Sequence, residues 1–294
     1  VQGYVDFSYV AGSIAMIAAV YLFVMTFSNV PRIRAKQMLD EKETKSKSSL
    51  KSVIMKFFNV LKNKDMRNII AGYSVAMIAA TLIITLGFHV FTFTFTLTTT
   101  QMYFLMGGLL VMTIVGQPLW IFLSKKTDKK KATIIGLFFA LTGCVLLFVM
   151  FLIRDTLNSF ISENPMGVAV MLPPLMIAGM GTGVLYSMPL ALIGDVIAKN
   201  KKTQKGEKTG TYAGMMTLAY KTSQALTQLS AGVMLDLVGF REGSHIQPRG
   251  VSSSLGWFLC IGLIVAIAGG ILLFSRLKID KEEITKLLEE QSNA

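Results

Sequence analysis

Long apolar runs separated by charged or turn-rich breaks dominate this chain. Seven runs reach the length of about 20 residues that a helix needs to cross roughly 30 Å of hydrocarbon. Their approximate ranges are 8–28, 68–92, 102–124, 132–153, 168–198, 209–237 and 252–275. The pattern predicts an all-α membrane protein that crosses the lipid bilayer several times.

The breaks contain shorter patterned segments. The longest break, 31–67, is a basic linker in which apolar residues repeat at helical spacing: Leu50, Val53, Ile54, Phe57, Phe58 and Leu61. This stripe predicts an amphipathic helix that lies in the membrane interface or packs under the protein. The tail, 277–294, has the pattern of a short capped helix. Residues 92–101 alternate Phe and Thr as a strand does, but their position favours an aromatic interfacial segment.

Composition and charge agree with this topology. Charged residues make up 16% of the chain, whereas soluble domains carry about 25%. The net charge is +12, and 25 of the 29 Lys and Arg residues lie in four alternate breaks on one side of the membrane. The positive-inside rule places that side, and the C-terminus, in the cytoplasm. Nucleic-acid binding is therefore not expected. Trp120 and Trp257 fall near span ends, where Trp anchors helices at the interface.

The sequence does not favour catalysis. Cys144 and Cys260 lie inside apolar spans, which argues against a disulfide framework. We find no metal-ligand spacing and no nucleophile–base arrangement, so we expect neither an enzyme nor a metal site nor a resident cofactor. The sequence starts at Val1 and enters the first span almost at once. We therefore expect further N-terminal helices of the same protein upstream.

Lys221 is the most informative polar residue, because it lies near the middle of the sixth span. Each interface is at least about 15 Å away at 1.5 Å per residue, which is beyond the reach of a lysine stem. A charge at that depth costs at least about 2.5–3.5 kcal/mol. Lys221 should therefore face a wet cavity that binds a small-molecule substrate, or a structural ion pair inside the bundle.

A polar stripe surrounds this lysine. Residues at three- and four-residue spacing share one side of the predicted helix: Gly210, Gly214, Thr217, Lys221, Gln224 and Gln228. The glycines allow close packing, and the amides and the cation suit a polar ligand. We assign Thr217, Lys221, Gln224 and Gln228 as candidate substrate-binding residues.

The fifth span is interrupted by Gly179, Gly181 and Gly183. Because no strand precedes them, a phosphate-binding loop is not supported. Close helix packing, or a flexible point in the helix, is the better interpretation, and Pro189 should add a kink nearby.

Four further polar residues are candidates. Thr182 and Tyr186 share one side of the fifth span and are predicted to line a cavity. Asp195, at the cytoplasmic end of that span, suits either a gating salt bridge or a simple loop contact. His89, near the outer end of the second span, suits a proton relay or a structural hydrogen bond.

Three segments resemble a known family. They are FFNVLKNKD at 57–65, GQPLWIFLSKKTDKKK at 116–131, and Gly194-Asp-Val with Glu207-Lys-Thr-Gly-Thr-Tyr after a basic loop. In order and cytoplasmic placement they resemble the glycoside–pentoside–hexuronide:cation symporters, the melibiose-permease group of the major facilitator superfamily. The resemblance implies secondary active transport of a sugar or glycoside, coupled to Na⁺ or H⁺, by alternating access.

The resemblance also implies a domain organisation. Residues 1–30 would be the last helix of the N-terminal half, 31–67 the linker, 68–276 the C-terminal six-helix half, and 277–294 a cytoplasmic tail. The family's cation-binding carboxylates lie mainly in the N-terminal half, so the coupling-ion site would lie mostly outside this chain.

Lys221 matches a functional lysine in the eleventh helix of that family. Together with Asp236 and Gly239-Phe240, it is also similar to the lysophospholipid symporters, which adds Asp236 as a gating or coupling candidate. Transport of a lysophospholipid or another anionic lipid is therefore an alternative. A seven-helix receptor is an alternative of another class, and a non-transporting scaffold is a third.

Overall fold

The computed structural model describes residues 60–200, 209–244 and 246–278, together with nine residues between 13 and 27. Those nine are helical and belong to a unit, 1–53, that is separate from the unit 54–294. The predicted amphipathic helix is outside the described residues except for its last two positions, and the capped tail helix from residue 280 is outside them entirely.

From residue 60 onward, the described chain is built from helices, and none of its residues forms a strand. The α-helices are α1 (Lys64–Thr85), α2 (Gly87–Phe93), α3 (Thr99–Lys126), α4 (Lys129–Leu152), α5 (Arg154–Glu163), α6 (Leu172–Thr182), α7 (Met188–Asn200), α8 (Thr209–Leu237) and α9 (Arg249–Ser275). Two 3₁₀ segments, Pro165–Met171 and Gly183–Tyr186, flank α6.

Within the described residues, five helical stretches are long and apolar enough to cross a membrane. They are Lys64–Thr85, Thr99–Lys126, Lys129–Leu152, Pro165–Lys199 and Arg249–Ser275. Each coincides with a predicted span. The sixth span is the 29-residue helix α8, which is long enough but more polar than the other five. These helices confirm an all-α, multi-pass membrane fold.

Three local features differ from or refine the predictions. The second predicted span breaks at Leu86, which separates α1 from α2. The short helix α5 was not predicted; it buries only Leu157 and Ile161 on one side. As expected, residues 92–101 form no strand: α2 ends at Phe93, and Thr98 begins α3 in a capping box with Gln101.

The glycines of the fifth span produce close packing between backbones. A Cβ on Gly179 would meet the carbonyl oxygen of Leu109 in α3, and one on Gly181 would overlap the backbone nitrogen of Ala140 in α4. Gly183 faces α3, as Gly179 does. A Cβ atom added at Gly183 would lie only 2.6 Å from the carbonyl oxygen of Thr113. Because the glycines alternate between two neighbours, α6 is wedged between α3 and α4.

Trp120 is not an interfacial anchor, contrary to the expectation. It is 2% exposed, and its indole Nε1 donates a hydrogen bond to the carbonyl oxygen of Met180 at 2.7 Å. Its ring packs edge-on against Phe139, with centroids 5.7 Å apart. A buried indole needs an acceptor, and the backbone just before the 3₁₀ segment supplies one. Trp257 is 43% exposed and remains at the surface.

Adding a methyl group at Gly181 should destabilise the helical bundle. We expect Gly181→Ala to lower the free energy of unfolding by about 1–3 kcal/mol, the usual cost of overpacking. Gly107→Ala is the matched control, because nothing lies within 4 Å of its Cβ position; it should be neutral or stabilising by up to about 1 kcal/mol. Thermal unfolding in detergent measures both, and equal midpoints would contradict the packing described above.

Candidate functional site

Helix α8 presents one buried face and one exposed apolar face. Tyr212, Met216, Thr227 and Ala231 are buried, and α8 packs mainly against α1. On another side of the helix, large apolar side chains are exposed: Leu218, Leu226, Leu229, Val233 and Leu237. An exposed apolar face on a helix of membrane-spanning length suits contact with lipid tails.

The third face of α8 is polar. Thr217, Lys221 and Gln228 are exposed and Gln224 is half-buried, and all four lie within about 60° of the Lys221 direction at 100° per residue. The ammonium of Lys221 donates a hydrogen bond to Oε1 of Gln224 at 3.2 Å. Among the described residues, no carboxylate pairs with this ammonium. The structure therefore keeps the four predicted residues together on one exposed surface.

An aromatic cluster lies beside this polar face. The Nζ atom of Lys221 is 5.0 Å from the ring centroid of Tyr220, within cation–π range. Tyr220 packs against Tyr73 of α1, with ring centroids 5.7 Å apart. Tyr186, in the 3₁₀ segment, lies near both of these tyrosines. We call Tyr73, Tyr186 and Tyr220 the tyrosine cluster.

Sequence reasoning found only Tyr186 of this cluster. Tyr220 lies off the stripe that contains Lys221, and Tyr73 lies almost 150 residues earlier in the chain. No periodic pattern connects them, because they meet only through the packing of α8 on α1. One sequence feature could have indicated Tyr73 and Tyr220: each is a tyrosine inside a predicted span, where its hydroxyl needs a hydrogen-bond partner.

Thr182 and Tyr186 line a cavity of about 160 Å³. It lies among five α-helices and the second 3₁₀ segment, and its wall is mostly apolar: Ala79, Ala80, Ile83, Ile84, Met106, Leu109, Leu110, Thr113, Cys144, Leu147, Ala178, Thr182, Tyr186, Leu263 and Ile267. Lys221 does not line it. Tyr186 is thus the residue that belongs both to this cavity and to the tyrosine cluster.

Asp195 forms an ion pair at the end of the helical bundle that the positive-inside rule predicts to face the cytoplasm. Its Oδ1 atom lies 2.5 Å from Nζ of Lys129, the first residue of α4, and its side chain is only 12% exposed. The next lysine, Lys130, donates to the carbonyl oxygen of Leu277 at 2.6 Å. The first turn of α4 is therefore tied to α7 and to the residues that follow α9. Both interpretations of Asp195, a gate or a structural contact, fit this geometry.

His89 and Asp236 lie away from Lys221. The Nδ1 atom of His89 is 3.2 Å from the carbonyl oxygen of Thr85, and its ring packs edge-on against Phe240 beyond the end of α8. Asp236 is exposed in the last turn of α8. It is 15 residues after Lys221, or about 22 Å along the helix axis. The two charges of α8 therefore do not form an ion pair with each other.

A comparison with protein families identifies the general class. The profile described as "MFS/sugar transport protein" matches residues 6–281, which is nearly the whole chain. The chain belongs to this family. It is therefore a multi-pass membrane transporter of the major facilitator superfamily, which points away from an enzyme and favours transport over the receptor interpretation. A search of curated proteins found no match.

Separating the charges of Lys129 and Asp195 should destabilise this transporter. We expect Lys129→Ala and Asp195→Ala each to lower the free energy of unfolding, by between about 1 kcal/mol for an exposed pair and about 3 kcal/mol for a buried one. A lower thermal midpoint in detergent would show this loss. The exchanged pair, Lys129→Asp with Asp195→Lys, should recover part of the loss.

The matched control breaks the pair of Asp155 and Arg249, whose side chains are 67% and 80% exposed. Asp155→Ala should change the midpoint little, because an exposed pair is screened by water. If Asp195→Ala changed stability no more than Asp155→Ala does, the pair would contribute nothing to holding α4 against α7.

Proposed function

We propose that this protein is a cation-coupled symporter of a sugar or glycoside that works by alternating access. The observation that supports this most strongly is the polar face of α8, with the exposed ammonium of Lys221 at its centre. Thr217, Gln224 and Gln228 would bind the substrate together with Lys221, and Tyr186 and Thr182 would contact it from the separate cavity that they line.

The energetics of the bilayer support a water-filled site at this face. A charge at the centre of a membrane helix costs at least about 2.5–3.5 kcal/mol when it faces hydrocarbon. The same helix has a separate apolar face that suits lipid. Since only one of the two faces can be matched to lipid at low cost, the face with Lys221 should look onto an aqueous path between the two halves of the transporter.

The chemistry of the site suits a sugar. The amides of Gln224 and Gln228 and the hydroxyl of Thr217 supply donors and acceptors for sugar hydroxyls. The rings of the tyrosine cluster supply apolar surface with polar tips. A few polar groups placed among aromatic side chains is the usual composition of a small-molecule site.

The remaining candidates would act in gating and coupling. Asp195, paired with Lys129, would help to close the cytoplasmic side, and the positive-inside pattern would place the C-terminus on that side. His89 and Asp236 would act near the outer end. The coupling ion, Na⁺ or H⁺, would bind mainly to N-terminal helices of the same protein, and residues 68–276 would form its C-terminal half.

Transport of a lysophospholipid or a similar anionic lipid is the second candidate. It is favoured by the exposed ammonium of Lys221, which could pair with a phosphate. The partners of this ammonium among the described residues, the amide oxygen of Gln224 and the ring of Tyr220, carry no formal charge, so an anionic group could join them. The two candidates differ in the expected cargo and not in the fold.

Lys221→Ala should reduce uptake at least tenfold in proteoliposomes that contain the natural full-length gene product. Labelled sugars and a labelled lysophospholipid are tested separately, with and without a sodium gradient or a proton gradient. Sugar uptake that needs one gradient supports the proposal, and lysolipid uptake alone supports the second candidate. Lys131→Ala is the control, because it removes an exposed lysine at the edge of the bundle and should leave uptake unchanged.

Normal uptake by Lys221→Ala would reduce this residue to a structural role and remove the main support for the site. If neither cargo moves under any gradient, the proposed substrate classes are both wrong.

A further inference from the structure

An open groove of about 470 Å³ lies between α8 and α9. Met234 of α8 lines one side, and residues of α9 from Ser254 to Val265 line the other. We propose that this groove, the α9 groove, holds one acyl chain of a phospholipid whose phosphate binds to Arg249 and Arg154. The lipid is a bound component of the protein and not its cargo, so the proposal does not depend on the proposed function.

The lining of the α9 groove suits a hydrocarbon chain. All of its residues are apolar except Ser254, and three large side chains along it are well exposed: Trp257, Ile261 and Val265. Gly262 lies against Leu82 of α1 and has no side chain to fill the space. A contiguous exposed apolar surface on a protein marks contact with a partner or a membrane.

The length of the groove matches one leaflet of the bilayer. Ser254 and Val265 are 11 residues apart, or about 16 Å along the helix axis, and half of the hydrocarbon core is about 15 Å thick. Arg249 begins α9 five residues before Ser254, about 7 Å further along the axis. The polar layer on each side of the core is roughly 5–7 Å thick. Arg249 therefore lies at headgroup depth when the groove lies among acyl chains.

Two guanidinium groups meet at this end of the groove. Arg249 Nη2 is 2.8 Å from Oδ2 of Asp155, and Arg154 precedes Asp155 in the chain. Arg154 donates to Oγ of Ser253 at 3.0 Å and to the carbonyl oxygen of Phe151 at 3.3 Å. A guanidinium has five N–H donors, so both arginines keep donors for a further acceptor. With Asp155 they carry a net charge of +1, which complements the single negative charge of a phosphodiester.

Ring contacts connect these charges to the apolar lining. The guanidinium carbon of Arg154 is 4.8 Å from the ring centroid of Phe151. Phe151 packs edge-on against Trp257, with centroids 5.3 Å apart, and Trp257 lines the groove. The cationic end and the apolar groove are therefore parts of one continuous surface. A phospholipid, in which a phosphate and an acyl chain belong to one molecule, matches both parts.

Native mass spectrometry of the full-length protein in detergent tests the phosphate contact. The protein is titrated with dioleoyl phosphatidylglycerol, which has a phosphate and no cationic group, and with dioleoylglycerol, which has the same chains and no phosphate. Phosphatidylglycerol should bind at least about fivefold more tightly, since one arginine near a membrane surface contributes about that factor.

Two variants of the exposed ion pair should have different effects on this binding. Arg249→Gln should weaken the binding of phosphatidylglycerol about fivefold and leave that of dioleoylglycerol unchanged. Asp155→Asn is the matched control: it breaks the same pair but removes the carboxylate that competes for Arg249. Binding to this variant should be as tight as to the wild type or tighter. Equal weakening by both variants would show that the pair acts only on the structure, and would overturn the phosphate site.

A second pair of variants tests the groove itself. Ile261→Trp places a large ring in the middle of the groove and should weaken binding of both lipids at least about fivefold, as expected when an apolar pocket loses room for a few carbon atoms. Leu272→Trp is the control, because Leu272 is 62% exposed on the same helix but does not line the groove. All four altered side chains are exposed, so each variant should fold, and its thermal midpoint without lipid checks this.

Three results would overturn the proposal. Equal affinity for the two lipids would show that no phosphate is recognised. Binding that neither Arg249→Gln nor Ile261→Trp changes would place the lipid elsewhere on the protein. Failure to bind either lipid, together with a lower thermal midpoint for Ile261→Trp, would show that another helix of the full-length protein fills the groove.

Discussion

A lysine ammonium cannot rest in hydrocarbon, and the arrangement of α8 depends on that constraint. The helix needs one face for the bundle, one for lipid and one for its charge, and its sequence provides all three. Burying Lys221 against α1 would require a carboxylate there, and turning it to lipid would cost several kcal/mol. The mean polarity of α8, which is higher than that of its neighbours, is therefore compatible with a membrane only if part of the helix faces water or other protein.

The packing around α6 holds three helices in close contact. Gly179 and Gly183 bring α6 close to α3, and Gly181 brings it close to α4. Such close approach between helices depends on residues without side chains. The same glycine-rich region ends in the 3₁₀ segment that contains Tyr186. The close packing of α6 therefore also positions a residue of the tyrosine cluster.

The sequence predicts those features that come from continuous apolar runs or from a regular spacing of residues along the chain. The apolar runs located the spans, and the predicted end of the sixth span at 237 agrees with the last residue of α8, Leu237. The break at Leu86 and the short helix α5 were missed, because neither changes the mean hydropathy over a span. The stripe containing Lys221 follows from helix geometry, whereas the partnership of Asp195 with Lys129, 66 residues apart, depends on tertiary packing.

The hydrogen bond from Trp120 to Met180 has a mechanical consequence for α7. It holds the chain one turn before the 3₁₀ segment, so any bending of this span would pivot just beyond that point. From Met188 to Asp195, α7 extends about 10 Å. A tilt of about 10° at the pivot would move the carboxylate by roughly 2 Å, and a tilt directed away from Lys129 would therefore open their contact. A small change of shape beside Tyr186 would thus be amplified into the loss of an ion pair at the far end of the helix.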